Sequence, residues 1–372
     1  MDLDFTADQD DLRANVRDVL DRECPREFVR AVAEGARDGR SLWDRIVELG
    51  WPALTVPEAA GGIGLGAVEL AIVCEELGRA LAPGPFLATA AQFVPVLRAA
   101  GDATRLAAVA AGELTGTLAI AEPAGSFDPR DVAATASADG DGFSLRGTKS
   151  HVVDGDGVDE LAVVARAPET AGREGLGLFL VARADAAIEP VANVDLTRRL
   201  ATVTLDRVPV APDRVLVPPG PATAEILQLV LDEATTALAL DTVGACQAIF
   251  DDTLDYAKQR EQFGVPIGSF QAIKHKFADM YVLLERARAT GYFAALTIAE
   301  DDPRRSLTTS VAKAAAGDCE IRLGKEGIQI HGGIGYTWEH DTHLFVRRML
   351  ANGALFGTAV EHRARIAEEI GL

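Results

Sequence analysis

Residues 256–280 read YAKQREQFGVPIGSFQAIKHKFADM, and this stretch carries the strongest signal for the fold and function of the 372-residue chain. The pattern predicts a helix that ends at the basic residue Arg260, a turn built from an aromatic residue, Gly and Pro, and a second helix that starts at Phe270. The guanidinium of Arg260 can bind a phosphate group through two parallel hydrogen bonds, and Phe263 offers an apolar ring beside it. An ordinary helix-turn-helix linker would show the same local pattern, so the interpretation needs support from elsewhere in the chain.

A second stretch of this kind lies nearer the C-terminus. Residues 329–339 read QIHGGIGYTWE, and Arg347 follows eight residues after Glu339. In this order and at this spacing, the two stretches resemble the signatures of the acyl-CoA dehydrogenase family nearly letter for letter. Weaker matches to the same family extend over most of the chain, at PEAAGG (57–62), EELGR (75–79), AEPAGS (121–126) and GTK (147–149).

Composition and hydrophobic periodicity divide the chain into three zones. Residues 1 to about 110 are rich in Ala and Leu at helical spacing, and helical periodicity returns from about 222 to the end. Between about 115 and 217, short apolar runs alternate with turn signals, which predicts a β barrel or sandwich rather than a doubly wound parallel sheet. The family resemblance implies the same arrangement: an α+β multidomain fold with an N-terminal helical domain (1–114), a middle β-barrel domain (115–218) and a C-terminal four-helix bundle (219–372).

Composition excludes several classes of protein. The formal net charge of −20 at pH 7 argues against binding to nucleic acid or to anionic lipid, both of which need clustered Lys and Arg. No run of about 18 uninterrupted apolar residues occurs, so no membrane span is expected. The 4 cysteines are scattered without a CxxC pair, and the acidic start does not resemble a signal peptide, which together predict reduced thiols in a cytoplasmic protein.

One glycine pattern suggests a dinucleotide site, but its surroundings argue against that interpretation. Residues 62–67 read GIGLGA, which fits the loose pattern GxGxxA. A Rossmann site needs a preceding buried strand and an acidic residue about 20 residues further on. Pro52 and Pro57 interrupt the segment before the glycines, and position 82 is Ala. We therefore predict a turn that leads into a helix.

A group of histidines, His331, His340 and His343, is the metal-binding candidate in the sequence. Three histidines can ligate zinc, but no cysteine or carboxylate cluster accompanies them. No metal is therefore expected.

The resemblance implies a tetramer, usually a dimer of dimers, that binds FAD between subunits. Residues of the two signatures would hold the diphosphate and adenine end of a neighbouring subunit's FAD: Arg260, Gln262, Phe263, Ile267, Phe270, Ile273, Gln329, Gly332 and Gly333. Glycine suits a pyrophosphate contact because it has no side chain. Residues of the middle domain would lie along the flavin ring and the pyrophosphate: Ile120, Ala121, Ser126, His151, Val152 and Val153. Thr358 belongs to the same cofactor-binding set.

The family's general base is missing from its usual position. In the family, a Tyr-Glu-Gly-Thr tetrad near the C-terminus supplies a glutamate, which removes the α proton of the thioester while the β hydrogen leaves as hydride to flavin N5. Here residues 355–358 read LFGT, and Arg347 lies nine residues before Phe356, as in the family. A phenyl ring cannot accept a proton, so the tetrad supplies no catalytic residue.

Other positions offer alternatives to the missing base. Some relatives carry the base on an earlier helix, at the position that falls on Ala234 here. Glu233, one residue away and about 100° around a helix, is the candidate there. The Trp that usually covers the flavin is replaced by His151, and the Thr that usually bonds near flavin N5 by Val153, which implies a tuned or vacant flavin site. Apart from its position in place of the Trp, nothing in the sequence supports His151 as a substitute base.

The resemblance implies one leading function and several alternatives. The leading hypothesis is a subunit of an FAD-dependent acyl-CoA dehydrogenase, which performs α,β-dehydrogenation of an acyl-CoA thioester and passes electrons to an electron-transfer flavoprotein. Family members without the base form halves of α2β2 heterotetramers, often in actinobacteria and on bulky substrates such as steroid side chains, and the partner brings the glutamate. The alternatives are an active homotetramer that uses Glu233, a non-catalytic scaffold that binds acyl-CoA, and a relative with flavin monooxygenase or nitroalkane-oxidising activity.

Overall fold

Helices lie toward both ends of the chain and the main strands occupy its middle, in a computed structural model that describes residues 4–372. This order confirms the predicted α+β fold class. The helices are α1 (Ala7–Glu23), α2 (Arg26–Ala33), α3 (Arg40–Glu48), α4 (Ala67–Ala80), α5 (Phe86–Ala88), α6 (Val94–Ala100), α7 (Ala103–Ala110), α8 (Pro221–Gln259), α9 (Gln271–Ala299), α10 (Arg305–His331), α11 (Thr342–Ala354) and α12 (Ala359–Glu369). A π-helical turn (Thr89–Phe93) joins α5 to α6, and a 3-10 turn (Gly332–Tyr336) follows α10.

The middle strands form one mixed sheet. They are β1 (Gly116–Ala119), β2 (Thr135–Asp139), β3 (Gly142–Val153), β4 (Glu160–Arg166), β5 (Leu176–Ala182), β6 (Ala187–Val191), β7 (Leu200–Val210) and β8 (Val215–Val217). Hydrogen bonds join them in the order β6-β7-β3-β2-β4-β5-β8, with β1 in parallel beside β4. The central strands β4 and β5 are buried almost throughout, as their continuous apolar sequences require. A separate hairpin pairs β9 (Glu261–Gln262) with β10 (Val265–Pro266).

Changes of secondary structure fall close to the predicted domain limits. Helices give way to strands between Ala110 and Gly116, and strands give way to helices between Val217 and Pro221. The role of positions 114/115 and 218/219 as limits of separate domains stays a prediction. Within residues 4–372, no helix is both long enough and apolar enough to cross a membrane.

Helix α8 is the element against which most other helices pack. It has 39 residues, which corresponds to about 58 Å, and it contacts α4, α9, α10 and α11. Every residue from Val230 to Cys246 is buried. A helix that is apolar and buried on all sides needs neighbours on all sides, which explains its central position.

Two glycines bring the backbones of α4 and α8 into direct contact. A Cβ atom at Gly78 would lie 1.9 Å from the carbonyl oxygen of Asp241, and one at Gly244 would lie 1.8 Å from that of Glu75. No side chain fits at either position. The crossing therefore fixes the N-terminal helices against the C-terminal bundle.

A buried network of charges connects the middle sheet to this crossing. Arg348 of α11 donates hydrogen bonds to Asp195 at 2.5 Å and to Asp241 at 3.2 Å, and Arg198 donates to Asp241 at 3.3 Å. Asp195 and Arg198 belong to the segment between β6 and β7, whereas Asp241 lies in α8. Because each buried charge faces an opposite one, the cost of removing these groups from water is offset.

The α4–α8 crossing predicts opposite effects of the same substitution at two helical glycines. Gly244→Ala should lower the free energy of unfolding by about 1–3 kcal/mol, because the new methyl group meets a backbone oxygen. Gly324→Ala in α10 is the matched control, since its Cβ would lie 3.4 Å from the flexible end of Met349. There the higher helix propensity of Ala should stabilise the protein by up to about 1 kcal/mol. Urea unfolding of both variants measures this, and equal effects would contradict the close crossing.

Candidate functional site

The signature residues that follow α8 form a tight, exposed hairpin. Phe263 and Gly264 are its two turn residues, and both have positive φ angles, +55° and +78°. This is the geometry of a type I′ turn, which suits Gly but strains a bulky residue by about 1–3 kcal/mol. The turn holds the ring of Phe263 in solvent, where the residue is 94% exposed. An apolar ring fixed in water at such a cost indicates a surface that is covered by another molecule.

This hairpin forms one wall of an open cleft of about 520 Å³, hereafter the α9–α10 cleft. The predicted cofactor residues that line it are Gln262, Phe263, Ile267, Phe270, Ile273 and Gln329. Arg260 lies at the base of the hairpin, where its carbonyl group accepts a hydrogen bond from the amide of Ile267 at 2.8 Å. Gln262 and Gln329, 67 positions apart in the chain, are thus brought together. The volume of the cleft lies within the range of small-molecule sites, about 300–1,000 Å³.

The α9–α10 cleft also contains charged residues that the sequence did not single out. Lys276 and Lys325 line it together with Glu326, and Lys276 forms an ion pair with Glu326. Lys276 lies three residues after Ile273 on α9, so helical periodicity could have placed it on the same face. The two lysines give the cleft the positive groups that a phosphate-bearing ligand requires.

The glycines after α10 leave the backbone open to a ligand. Gly332 has φ +67° and ψ −140°, a conformation that suits glycine. A Cβ atom at Gly332 or Gly333 would meet no protein atom within 4 Å, so a ligand could approach the main chain there. Gly335, in contrast, folds back against the end of α10, and its Cβ would lie 3.0 Å from that of His331.

The predicted flavin-ring positions of the middle sheet are mostly covered by the chain itself. Ile120, Ala121, Val152 and Val153 are 2% exposed or less, whereas His151 is exposed and Ser126 is partly exposed. His151 has a positive φ of +53°, and Nδ1 of its ring lies 3.0 Å from the hydroxyl of Ser150. Contact of these positions with a flavin ring therefore stays a prediction, with His151 and Ser126 as the members that are accessible in the subunit alone.

The residue at the position of the base is buried against another aromatic ring. Phe356 is 2% exposed, and its ring centroid lies 5.1 Å from that of Phe127. Its φ of +57° is strained for a residue with a large side chain. Gly357 follows with φ +103°, and Thr358 caps α12 by accepting a hydrogen bond from the amide of Glu361. The side chain of Phe356 therefore lies in an apolar environment and provides no proton acceptor.

A neutral histidine fixes this strained segment. Nε2 of His362 donates to the carbonyl oxygen of Phe356 at 3.0 Å, and its Nδ1 therefore accepts from the hydroxyl of Ser310 at 3.2 Å. Burial, followed in effect by the nearby Arg365, lowers the pKa of His362 to about 3. The imidazole stays neutral at physiological pH, which the acceptor role of Nδ1 toward Ser310 requires.

A narrow polar cleft of about 60 Å³ ends beside this histidine, between α8, α10, α12 and the segment 128–130. Its walls include Arg130, Arg173, Gln228, Asp232, Thr235, Ser306, Thr309, Ser310, His362 and Arg365. Asp232 accepts hydrogen bonds from Ser306 at 2.7 Å and from Gln228 at 2.9 Å, and burial raises its pKa to about 6. No sequence pattern singled out Asp232, so this buried carboxyl group was missed.

Glu233 points away from that polar cleft. Its carboxylate forms an ion pair with Arg98 of α6, and it lines a small cavity beside α4 with Ala71 and Ile298. Adjacent residues of α8 thus face different neighbours, because each step turns the helix by about 100°. The structure does not bring Glu233 to Phe356, and the arginine holds the carboxylate in place.

The weaker sequence patterns have structural explanations. The glycines of residues 62–67 precede α4, which begins at Ala67, and this confirms the predicted turn into a helix. A Cβ atom at Gly62 would lie 2.0 Å from the carbonyl oxygen of Val56, so the glycine serves close packing of the chain.

The histidine group does not assemble as a set of ligands. The rings of His331 and His340 lie 4.6 Å apart, whereas His343 stacks on Trp338. Nδ1 of His340 accepts the backbone N–H of Thr342, so the ring proton is on Nε2 and no lone pair faces a metal there. Among residues 4–372, no group of three or more His, Cys, Asp or Glu side chains is arranged to hold a metal ion.

Family models match both helical parts of the chain. The model described as Acyl-CoA dehydrogenase, N-terminal domain, matches residues 6–111, and the model described as Acyl-CoA dehydrogenase, C-terminal domain, matches residues 225–371.

Similar proteins align with the chain over nearly its full length. Acyl-CoA dehydrogenase IpdE2 of Mycobacterium tuberculosis is 34% identical over 363 residues, which cover 96% of each sequence. The solved ChsE4-ChsE5 complex from Mycobacterium tuberculosis has a TM-score of 0.87 at 27% identity and covers 100% of this chain and 99% of that chain. A solved variant of the Tcur3481-Tcur3483 steroid ACAD has a TM-score of 0.85 at 31% identity and covers 98% and 97%.

The neutral state of His362 predicts a loss of stability in acid. Because its folded pKa is lowered, the unfolded state binds the proton more readily, so stability is complete above about pH 6.5 and is lost as the pH falls toward the folded value. His362→Gln can keep both hydrogen bonds but cannot titrate. Between pH 7.5 and pH 5 the variant should lose about 2 kcal/mol less free energy of unfolding than the wild type. Urea unfolding at both pH values tests this, with His275→Gln on the exposed face of α9 as control, and identical pH profiles for His362→Gln and wild type would contradict it.

Proposed function

Because this chain belongs to the acyl-CoA dehydrogenase family of oxidoreductases, we propose that it is one subunit of an FAD-dependent enzyme that introduces a double bond between Cα and Cβ of an acyl-CoA thioester. A second subunit, which carries the catalytic glutamate, completes the enzyme, and an electron-transfer flavoprotein accepts the electrons. The observation on which this proposal rests is the buried phenyl ring of Phe356 at the position of the base.

The cofactor fits one half of the chain better than the other. The α9–α10 cleft offers aromatic and aliphatic walls, two lysines and an open glycine turn, which suit the nucleotide part of FAD. Arg260, Gln262 and Phe263 would hold that part for the flavin of a neighbouring subunit. Of the ring positions in the middle sheet, His151 and Ser126 are accessible in the subunit alone, whereas the other four are buried. When bound, FAD supplies the acceptor for the hydride that leaves the substrate.

Proton abstraction is the step that this chain does not support by itself. Phe356 and Phe127 pack against each other in an apolar environment, and no lone pair on either ring can accept the α proton. Glu233 is bound to Arg98. A base in this chain would need to move into the site, whereas a partner subunit with the usual tetrad would bring a carboxylate that is already placed.

Two of the similar solved structures support a pair of unlike subunits. One is a complex of ChsE4 with ChsE5, and the other pairs Tcur3481 with Tcur3483 and is described as a steroid ACAD. By analogy we propose an α2β2 heterotetramer in the cytoplasm, with a bulky acyl-CoA such as a steroid side-chain thioester as substrate in β-oxidation.

A non-catalytic acyl-CoA-binding protein is the second candidate, and it is supported by the same observation, the phenyl ring of Phe356 in place of a proton acceptor. Such a protein would bind the thioester and never reduce a flavin. The active homotetramer with Glu233 as base remains a further prediction, which Glu233→Gln would test through loss of turnover in the isolated chain.

Anaerobic titration with a panel of acyl-CoA thioesters should separate these functions. We expect the absorbance of oxidised flavin to persist when the purified chain is titrated alone and to bleach when the chain is co-expressed with a glutamate-bearing subunit, because only the complex has a base. Bleaching in the isolated chain would establish an active homo-oligomer. If the flavin stays oxidised in the complex co-expressed with the glutamate-bearing subunit although the thioester binds, the chain is a non-catalytic acyl-CoA-binding protein.

Arg260 provides a test of the subunit-bridging cofactor site. Arg260→Gln removes the charge and the two-pronged donor from the hairpin, so the co-expressed complex should lose FAD, with an affinity lower by about tenfold or more. Arg207→Gln is the matched control, since Arg207 is exposed in the middle sheet and lies 3.8 Å from the exposed Asp206. FAD content after gel filtration is the measurement. Full retention of FAD by the Arg260 variant would exclude this residue from the cofactor site.

A further inference from the structure

The imidazole of His331 is buried directly before the glycine turn. His331 is the last residue of α10 and is 4% exposed, and Gly332 follows it at once. Its Nδ1 donates a hydrogen bond to the carbonyl oxygen of Gly327 at 2.8 Å, because a carbonyl group can only accept. Its Nε2 is buried and has no hydrogen-bond partner among residues 4–372. A proton added at Nε2 would therefore meet no protein acceptor.

The ring of His331 contacts two other rings. It stacks on Tyr256 with the centroids 4.6 Å apart, and the ring of His340 is tilted against it by 55° at the same centroid distance of 4.6 Å. The hydroxyl of Tyr256 also donates to the carbonyl oxygen of His331 at 3.4 Å. Gly335 folds back onto the same residue, where a Cβ atom would lie 3.0 Å from the Cβ of His331. The position of the glycine turn Gly332–Tyr336 therefore depends on how His331 packs.

We propose that His331 is a positioning residue for the glycine turn and that its protonation loosens the turn. The consequence for FAD, weaker binding of the diphosphate in acid, rests on the proposed function, whereas the loosening of the turn does not.

The groups around His331 determine the direction of the effect. Burial lowers the pKa of His331 and outweighs the hydrogen bond to the Gly327 carbonyl, which raises it, and the neighbouring His340 acts in the same direction as burial. Asp252 of α8 favours the protonated form, but Arg26 of α2 forms an ion pair with that carboxylate at 3.1 Å. The neutral ring is thus the form that the folded protein prefers. The turn is held in place above the ordinary histidine pKa of about 6.5, and the restraint weakens as the pH falls below it.

The remaining charged groups of this region bind to the segment after the turn rather than to His331. Arg30 of α2 donates to the carbonyl oxygen of Trp338 at 2.7 Å and pairs with Asp341 at 2.5 Å. His343 of α11 stacks on Trp338 at 4.6 Å. These contacts anchor the far end of the segment, so loosening is expected in the glycines and not in the residues beyond them.

Amide hydrogen exchange of the full chain without cofactor tests the proposal. Exchange is followed at pH 7.5 and pH 5.5 in a peptide that covers the glycine turn, with rates corrected for the intrinsic effect of pH. In the wild type, protection of the turn should fall by up to about tenfold at pH 5.5, one unit below the ordinary pKa. In His331→Phe, which keeps a ring in the stack but cannot titrate, protection should be nearly the same at both pH values. His275→Phe, an exposed histidine of α9, should behave like the wild type.

Equal changes in the wild type and His331→Phe, or no change in the wild type, would overturn the proposal. If the phenyl variant does not fold, His331→Gln provides the same comparison, since an amide also lacks a titration in this range. FAD retention by the co-expressed complex at the two pH values is measured separately. A turn that loosens in acid without any loss of FAD would support the role of His331 and contradict the proposed diphosphate contact.

Discussion

The direct backbone contact between α4 and α8 is the constraint from which the rest of the arrangement follows. Because Gly78 and Gly244 leave no space for a side chain, the two helices cannot slide past each other. Helix α8 then directs neighbouring residues toward different parts of the protein. Asp232 faces the polar cleft, Glu233 faces Arg98, and Arg260 begins the hairpin of the α9–α10 cleft. The buried pairs Arg348–Asp195 and Arg198–Asp241 extend the same fixed frame to the segment between β6 and β7.

The chain combines an open half-site with a closed one. The α9–α10 cleft is wide and lies beside an exposed phenyl ring, as expected of a surface that is completed by another subunit. The region around Phe356 is apolar and packed, and a neutral imidazole holds its backbone. Ionisable groups near reacting atoms are normally placed with shifted pKa values. In the proposed function, a phenyl ring that cannot ionise stands at that position, so cofactor binding and proton transfer would be divided between two subunits.

Local patterns in the sequence predicted the elements, and distant contacts limited the prediction of the site. Helical periodicity placed a helix over 223–258, and α8 occupies Pro221–Gln259. The two signature stretches correctly identified residues that share the α9–α10 cleft, since their spacing is fixed by one hairpin and two adjacent helices. The partner of Glu233 could not be predicted, because Arg98 is 135 positions away and nothing local relates the two. The packing of Phe127 on Phe356 and the burial of Asp232 were missed for the same reason.

The strained hairpin turn affects how unassembled copies of the protein would be handled in a cell. Because the turn fixes the backbone, the ring of Phe263, which is 94% exposed, stays in contact with solvent when no second subunit covers it. Subunits that are made in excess would keep this ring available for self-association and for recognition by chaperones and proteases. In the proposed heterotetramer, the amount of this chain that accumulates would then follow the amount of the second subunit, so that quality control would contribute to the stoichiometry of the complex together with gene expression.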